Sequence, residues 1–204
     1  VIVSYVALIT VFIVHLIIVA ANRVSPIIYV KKAFPVLSFA FVSRTSAGAL
    51  PMNIETQRHA FGVDSATANF AASFGMSIGQ NGCAGIYPAM LATIIAPTVG
   101  INVFSPEFVV MLVAVIVVSS FGIAGVGGGA TFASLIVLGT LGLPIEIVGI
   151  LASVEPLIDM GRTALNVSDS MVAGITSSHV NGGFDRDVFN DPNAQVSAAG
   201  EIEA

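Results

Sequence analysis

The chain has 204 residues, 55% of them hydrophobic and 9% charged, with a mean hydropathy of +0.95. Soluble domains carry about 25% charged residues, so this composition excludes an ordinary cytosolic or secreted globule and points to protein embedded in a membrane. The net charge of −5 owes much to Asp185, Asp187, Asp191, Glu201 and Glu203 near the end of the chain, and signals neither a basic partner nor nucleic acid.

Residues 1–22 form an apolar run long enough to span a bilayer, which takes about 20 residues. The run begins without Met, already apolar, and shows no cleavable signal pattern. This leads us to expect a piece of a longer membrane protein whose earlier spans are missing. Arg23, Lys31 and Lys32 follow at once, and an excess of basic residues marks the cytoplasmic side. Residues 25–60 contain a short apolar piece, the polar tip Ser43-Arg44-Thr45-Ser46-Ala47-Gly48, and a return to Arg58 and His59. Two half-length arms around a polar tip predict a re-entrant hairpin entering from the cytoplasm.

Residues 64–100 are a span interrupted by Gly79-Gln80-Asn81-Gly82, and such breaks are tolerated at depth where backbone lines a cavity. The loop that follows lacks Lys and Arg, as expected outside the cell. Residues 106–143 predict a second hairpin, entering from outside, with the tip Gly122-Ile-Ala-Gly125-Val-Gly127-Gly128-Gly129. Residues 145–179 are the last span, and 181–204 are expected to be a disordered cytoplasmic tail. Arg23, Lys31, Lys32, Arg58 and Arg186 then lie on the cytoplasmic side, with Arg44 and Arg162 within the membrane. Hairpin followed by broken span thus occurs twice with opposite entry sides. The separation from Gly48 to Gly82 equals that from Gly127 to Gly161. An inverted pair of Gly-interrupted segments is the sequence mark of a transporter site at the repeat interface.

The last span holds the chemistry. Glu155, Asp159, Arg162, Asn166 and Asp169/Ser170 step by three and four, so they share one helix face, with Val154, Ile158, Leu165 and Val172 elsewhere. A charge at bilayer depth costs about 2.5–3.5 kcal/mol on insertion scales, so it persists where it faces a cavity, a partner or a ligand. Asp159 and Arg162 alone would suffice for a structural bridge. With Glu155, Thr163 and Asn166 on the same face they suit a zwitterion, Arg162 for a carboxylate and Asp159 for an ammonium.

Other motifs read more plainly. The Gly125–Gly129 cluster lacks the Gly-Lys-Ser/Thr continuation and a preceding strand, which argues against a phosphate loop. A flexible gate and close packing through small residues both fit it. Gly75-Met-Ser77-Ile-Gly79 matches a hydrolase elbow, but it precedes an amide-rich break rather than a strand-to-helix turn. His15, His59 and His179 fall at ends or flanks of spans, away from Ser77, and an enzyme is not expected. Cys83, the single cysteine, reads as a packing residue.

With these motifs in hand, the chain resembles the dicarboxylate/amino acid:cation symporters, the glutamate transporter-like family, across residues 1–180. The tip Arg44-Thr45-Ser46-Ala47-Gly48-Ala49-Leu50-Pro51 resembles the family's serine-rich tip. Gly79-Gln80-Asn81-Gly82 matches its Asn-Met-Asp-Gly break. Ala124-Gly125-Val126-Gly127-Gly128-Gly129 is similar to its second tip, and Asp159-Met160-Gly161-Arg162-Thr163 with Asn166 to its last-span signature. Within the family, residues 79–90, 125–133 and 153–166 look most like the bacterial L-cystine uptake branch.

The resemblance implies an all-α membrane protein, a transport domain with two inverted re-entrant hairpins and two broken spans. It implies elevator-type cation symport of cystine by a homotrimer in the bacterial inner membrane, with N-terminal scaffold spans beyond this chain and no prosthetic cofactor. It places substrate at Ser46, Ala124, Gly125, Gly127, Gly128, Asp159, Arg162, Thr163 and Asn166. Cation coupling falls on Ser77, Gly79, Asn81, Glu155, Asn166, Asp169 and Ser170, with sodium held through Gly79, Asn81, Asn166 and Ser170. The family's acidic residue in the break is Asn81 here, its preceding Asn is Gly79, and its late carboxylate is Ser170. Fewer charged oxygens imply fewer coupled sodium ions, or protons carried by Glu155 or Asp159.

Overall fold

The structure, a computed structural model, describes residues 1–196 and 202–203. It is mostly helical, with a short strand pair near the C-terminus. Three stretches, Ile2–Ala21, Pro26–Ser43 and Ser65–Val99, are long and apolar enough to cross a membrane.

Helix α1 (Ile2–Ala21) is apolar on its outward faces, where Ile2, Val6, Ile9, Ile13 and Ile17 are exposed. Its buried residues, Ser4, Leu8, His15 and Val19, fall on one inward face at helical spacing. Polar groups inward and apolar groups outward are the inverse of a soluble helix, as expected in lipid.

Helix α2 (Pro26–Ser43) starts with proline in its first turn and Ser25 as cap, the serine side chain accepting from Ile28 N. It ends at Arg44, whose φ of +54° stops the helix. The arm has 18 residues rather than the half length expected, because Lys31 and Lys32 lie inside it. Lys32 is only 5% exposed, and its Nζ donates to the carbonyls of Ala60 (2.8 Å) and Val188 (2.9 Å). Satisfied donors let this ammonium turn inward.

Helix α3 (Ser46–Glu55) packs back against α2 and continues through a π-turn, Thr56–Ala60. Helix α4 (Ser65–Ile78) ends at the break, a π-turn (Asn81–Ile86) follows, and α5 (Tyr87–Ile95) resumes. Helices α6 (Pro106–Ser120) and α7 (Gly129–Thr140) form a second antiparallel pair around the turn 121–128. The final span comprises α8 (Glu146–Leu151) and α9 (Glu155–Asn181).

The interruption in that span lies at 152–154, not at Gly161. Pro156 sits in the first turn of α9, where its missing N–H costs no helical bond. Gly161 lies within a continuous helix, against Tyr5 and Leu8 of α1, where a β-carbon would come within 2.9 and 3.0 Å of their side chains. Glycine there serves close helix packing.

Helix α9 is the central post. It packs on α1, α2 and α4, and one core gathers Tyr29, Val36, Phe61, Val167, Met171 and Ile175 around it. A second core joins Tyr87, Leu91, Leu112, Val137, Leu138 and Ile158 across α5, α6, α7 and α9.

The expected disorder of the tail is corrected over residues 181–196; residues 197–201 and 204 lie outside the described residues. Helix α10 (Arg186–Asn190) is capped by Asp185 and places Phe189, fully buried, against Phe61 and Phe184. Arg186 donates to the carbonyls of Asn22 and Arg23. Asp185 N donates to Gly62 O at 2.8 Å, and β1 (Gln195–Val196) pairs antiparallel with β2 (Ile202–Glu203).

Asp64 caps α4, accepting from Thr67 N at 2.9 Å and from the Ser178 hydroxyl at 3.0 Å. Hydrogen bonds from Thr67, with that from Ser178, hold its carboxyl below the usual range. A depressed folded-state pKa contributes stability above the unfolded value and loses it as pH falls through the folded one. Asp64→Ala should therefore cost about 1 kcal/mol at neutral pH. Thermal unfolding of the full-length protein in detergent should show the gap from wild type narrowing at acid pH; a gap that stays constant with pH contradicts the assignment.

Candidate functional site

Three elements meet at one point: the tip between α2 and α3, the break before α5, and α9. Thr45 caps α3 by accepting from Gly48 N, which sets Ser46 at the start of the helix with its side chain inward. Ser46 Oγ donates to Gln80 Oε1 at 3.2 Å, and Asn166 Nδ2 donates to the same oxygen at 3.0 Å. Gln80 Nε2 donates to Gly75 O at 2.9 Å. One buried amide thus ties the first tip, the break and the last span together. Asn166 also accepts from Gly82 N at 2.7 Å and donates to Cys83 Sγ at 3.2 Å.

Beside this junction stands Arg162, fully buried. It pairs with Asp159 at 3.0 Å and with Glu155, and its guanidinium lies 4.3 Å from the centre of the Tyr87 ring. Its Nε and Nη1 have no partner among the described residues. Unpaired buried donors on a cation are costly, on the order of 1–3 kcal/mol each, and are the expected mark of a site that awaits an acceptor. The cleft lined by Ser4, Leu8, Ile86, Tyr87, Met90 and Arg162 has no room for even one water. An amino acid does not fit this particular cleft, which borders only Arg162 of the cluster.

The second tip lies against the first. Gly125 is buried in the tip, as is Ile123, with Gly125 N donating to Met76 O (2.9 Å) and Ala47 N donating to Gly125 O (3.0 Å). A β-carbon there would stand 2.6 Å from Ser46 Cβ and 3.0 Å from Gln80 Oε1. Ala124 and Gly127 are exposed, and Gly128, with φ +85°, caps α7.

The residues expected at the site therefore divide. Ser46, Gly125, Asp159, Arg162 and Asn166 converge; Thr163 is buried on α9 beside Arg162; Glu155 joins through Arg162. Of the cation-coupling set, Asn81 lies in the break, its Oδ1 buried and without a partner among the described residues, directly after Gly79 and Gln80. Ser77 is exposed and donates to Ser73 O of its own helix, which removes it from the site and closes the hydrolase reading. Ser170 Oγ accepts from Asn53 Nδ2 at 2.8 Å, and Ser170 lines a cavity with Gly75 and Gly79. Asp169 turns to α1, pairing with His15 at 3.1 Å. No group of three or more His, Cys, Asp or Glu suited to a metal occurs among the described residues. Gln80 and Tyr87 were missed in the sequence. A buried glutamine flanked by glycine and asparagine at a helix break was the available signal.

The family model of sodium:dicarboxylate symporters matches residues 1–180. The chain belongs to the sodium:dicarboxylate symporter family. It is 67% identical over 95% of its length to the L-cystine uptake protein TcyP of Shouchella clausii, covering 41% of that protein. It is 62% identical over 98% of its length to the L-cystine uptake protein TcyP of Bacillus cereus, and 61% over 97% to that of Bacillus licheniformis, covering 42% and 43% of them. The chain thus spans less than half the length of these symporter relatives. Family membership and the apolar helices together make the chain part of an integral membrane protein.

Proposed function

We propose that the protein takes up L-cystine by cation-coupled symport, with residues 1–180 forming the moving transport domain. The observation that carries this reading is the fully buried Arg162, paired to two carboxylates yet with Nε and Nη1 unpartnered among the described residues. Cystine offers a carboxylate and an ammonium at each end of a disulfide. One carboxylate fits Ser46 and the tip amides near Gly125, the ammonium fits Asp159, and the far end fits Arg162 and Thr163. The names of the relatives support the choice of solute.

The two helical hairpins are re-entrant from opposite faces, and the Gly-rich second tip is the gate. Domain translocation then gives alternating access. The working protein is a homotrimer in the bacterial inner membrane, its C-terminus cytoplasmic. The coupled cation is sodium or a proton; Asn81 Oδ1, an acceptor without a donor among the described residues, supplies one neutral oxygen for it. In vesicles, full-length protein should take up radiolabelled cystine under an inward cation gradient. Unlabelled cystine should compete, and succinate and glutamate should not. Competition by succinate or glutamate at equal concentration, with none by cystine, refutes the choice of solute.

A further inference from the structure

We infer that residues 183–196 form a strap that locks the π-turn Thr56–Ala60 in the returning arm of the first hairpin, and so keeps Ser46 against Gln80. The inference rests on the symport reading above for its solute, and adds a device that stops leakage through the pocket.

The arm that carries Ser46 has a weak point. Helix α3 runs directly into the π-turn, where Phe61 N donates to Thr56 O, five residues back. Such turns are rare, and helices bend at them. The strap closes on this point. Lys32 Nζ joins Ala60 O, the last carbonyl of the turn, to Val188 O of α10, at 2.8 and 2.9 Å. Asp185 N donates to Gly62 O at 2.8 Å, and a β-carbon at Gly62 would overlap the Asp185 carbonyl. Phe189 extends the stack of Tyr29 on Phe61, the ring centres lying 5.3 Å apart in that pair and 5.9 Å apart from Phe61 to Phe189. Val196 is buried where β1 packs on the π-turn.

The strap is also fixed to elements outside the arm. Gly182, at φ +76°, ends α9, and Gly183 N donates to Ser178 O at 2.9 Å. Arg186 donates to the carbonyls of Asn22 and Arg23 after α1. Strain on the arm is therefore passed to α1, α2 and α9. A loose tail gains nothing by burying a phenylalanine completely and setting a carbonyl on a buried ammonium; this one does both. Without it, Lys32 loses Val188, Phe61 loses its cover, and the π-turn is held by its own bonds. The effect grows towards the tip. Helix α3 has 10 residues, a lever of about 15 Å, so a tilt of about 10° at the π-turn moves Ser46 by about 2–3 Å. The hydrogen bond from Ser46 to Gln80, 3.2 Å long, does not survive that shift, nor does the bond from Ala47 N to Gly125 O. The pocket then opens beside the first hairpin as well as at the second tip.

The test compares full-length wild type with a chain ended after Gly183 and with the double variant Arg186→Gln, Phe189→Ala. Hydrogen–deuterium exchange in detergent, with no solute present, is read over residues 46–62, with residues 65–78 as reference. Both altered forms should exchange at least about tenfold faster over 46–62 and within about twofold of wild type over 65–78, as local rather than global opening requires. In vesicles, both should retain cystine–cystine counterflow, release preloaded radiolabelled cystine faster than wild type without a cation gradient, and accumulate less of it. If the shortened chain fails to insert, the double variant decides alone. Exchange over 46–62 at the wild-type rate in the double variant overturns the inference, as does an equal rise over 65–78. Wild-type efflux and accumulation alongside faster exchange also overturn it. Absent counterflow in wild type refutes the cystine reading instead, and the exchange result decides the lock without it.

Discussion

Arg162→Ala is expected to abolish cystine accumulation, with binding weakened by 100-fold or more. Truncating one partner of a buried charge pair costs about 3–5 kcal/mol, and here two carboxylates, Asp159 and Glu155, lose their common cation. Losing the buried donor to a substrate carboxylate adds about 2–5 kcal/mol on the binding side. Arg162→Lys should rescue little, because an ammonium is a point charge and cannot face two carboxylates, an aromatic ring and a ligand together. Equilibrium binding of radiolabelled cystine to the full-length protein, with gel filtration to verify assembly, checks this. Affinity within about threefold of wild type, a difference of under 1 kcal/mol, removes Arg162 from the site.

The second large effect is expected at the second tip. Gly125→Ala puts a β-carbon 2.6 Å from Ser46 Cβ, and Ser46 is locked at the start of α3 by its own backbone. The side chain cannot step aside, so the tip must lift. Lifting breaks the bonds of Gly125 N to Met76 O and of Ala47 N to Gly125 O. Each is worth about 1 kcal/mol, so affinity should fall tenfold or more while α9 and its charged face stay in place. Gly127→Ala, where a β-carbon would meet nothing within 4 Å, is the matched control and should bind normally. Equal losses in the two variants would show that the tip acts through general flexibility rather than through contact with Ser46.

Much of this was legible in the chain because the signals were local. Three- and four-residue steps placed Glu155, Asp159, Arg162 and Asn166 on one face, and glycines beside amides marked the break at 79–82. What escaped depended on distant partners. Lys32 reads as a surface cation until the carbonyls of Ala60 and Val188 come to meet it. Asp169 reads as part of the substrate face, but its rotation of one position along α9 turns it to His15 of α1. The Phe184 and Phe189 rings were the only hint that a polar tail folds back onto the bundle. Gly161 misled for a physical reason: a helical glycine signals a break and a close helix contact with the same letter.

The return of the chain at α10 has a mechanical consequence. Arg186 grips the turn after α1, Asp185 holds Gly62, and Lys32 draws Val188 towards α2. Like a buckle, these bonds fasten four segments together at one extremity of the bundle. The contact between the two tips is lighter: Gly125 O accepts from Ala47 N and from the Thr45 hydroxyl, both neutral donors.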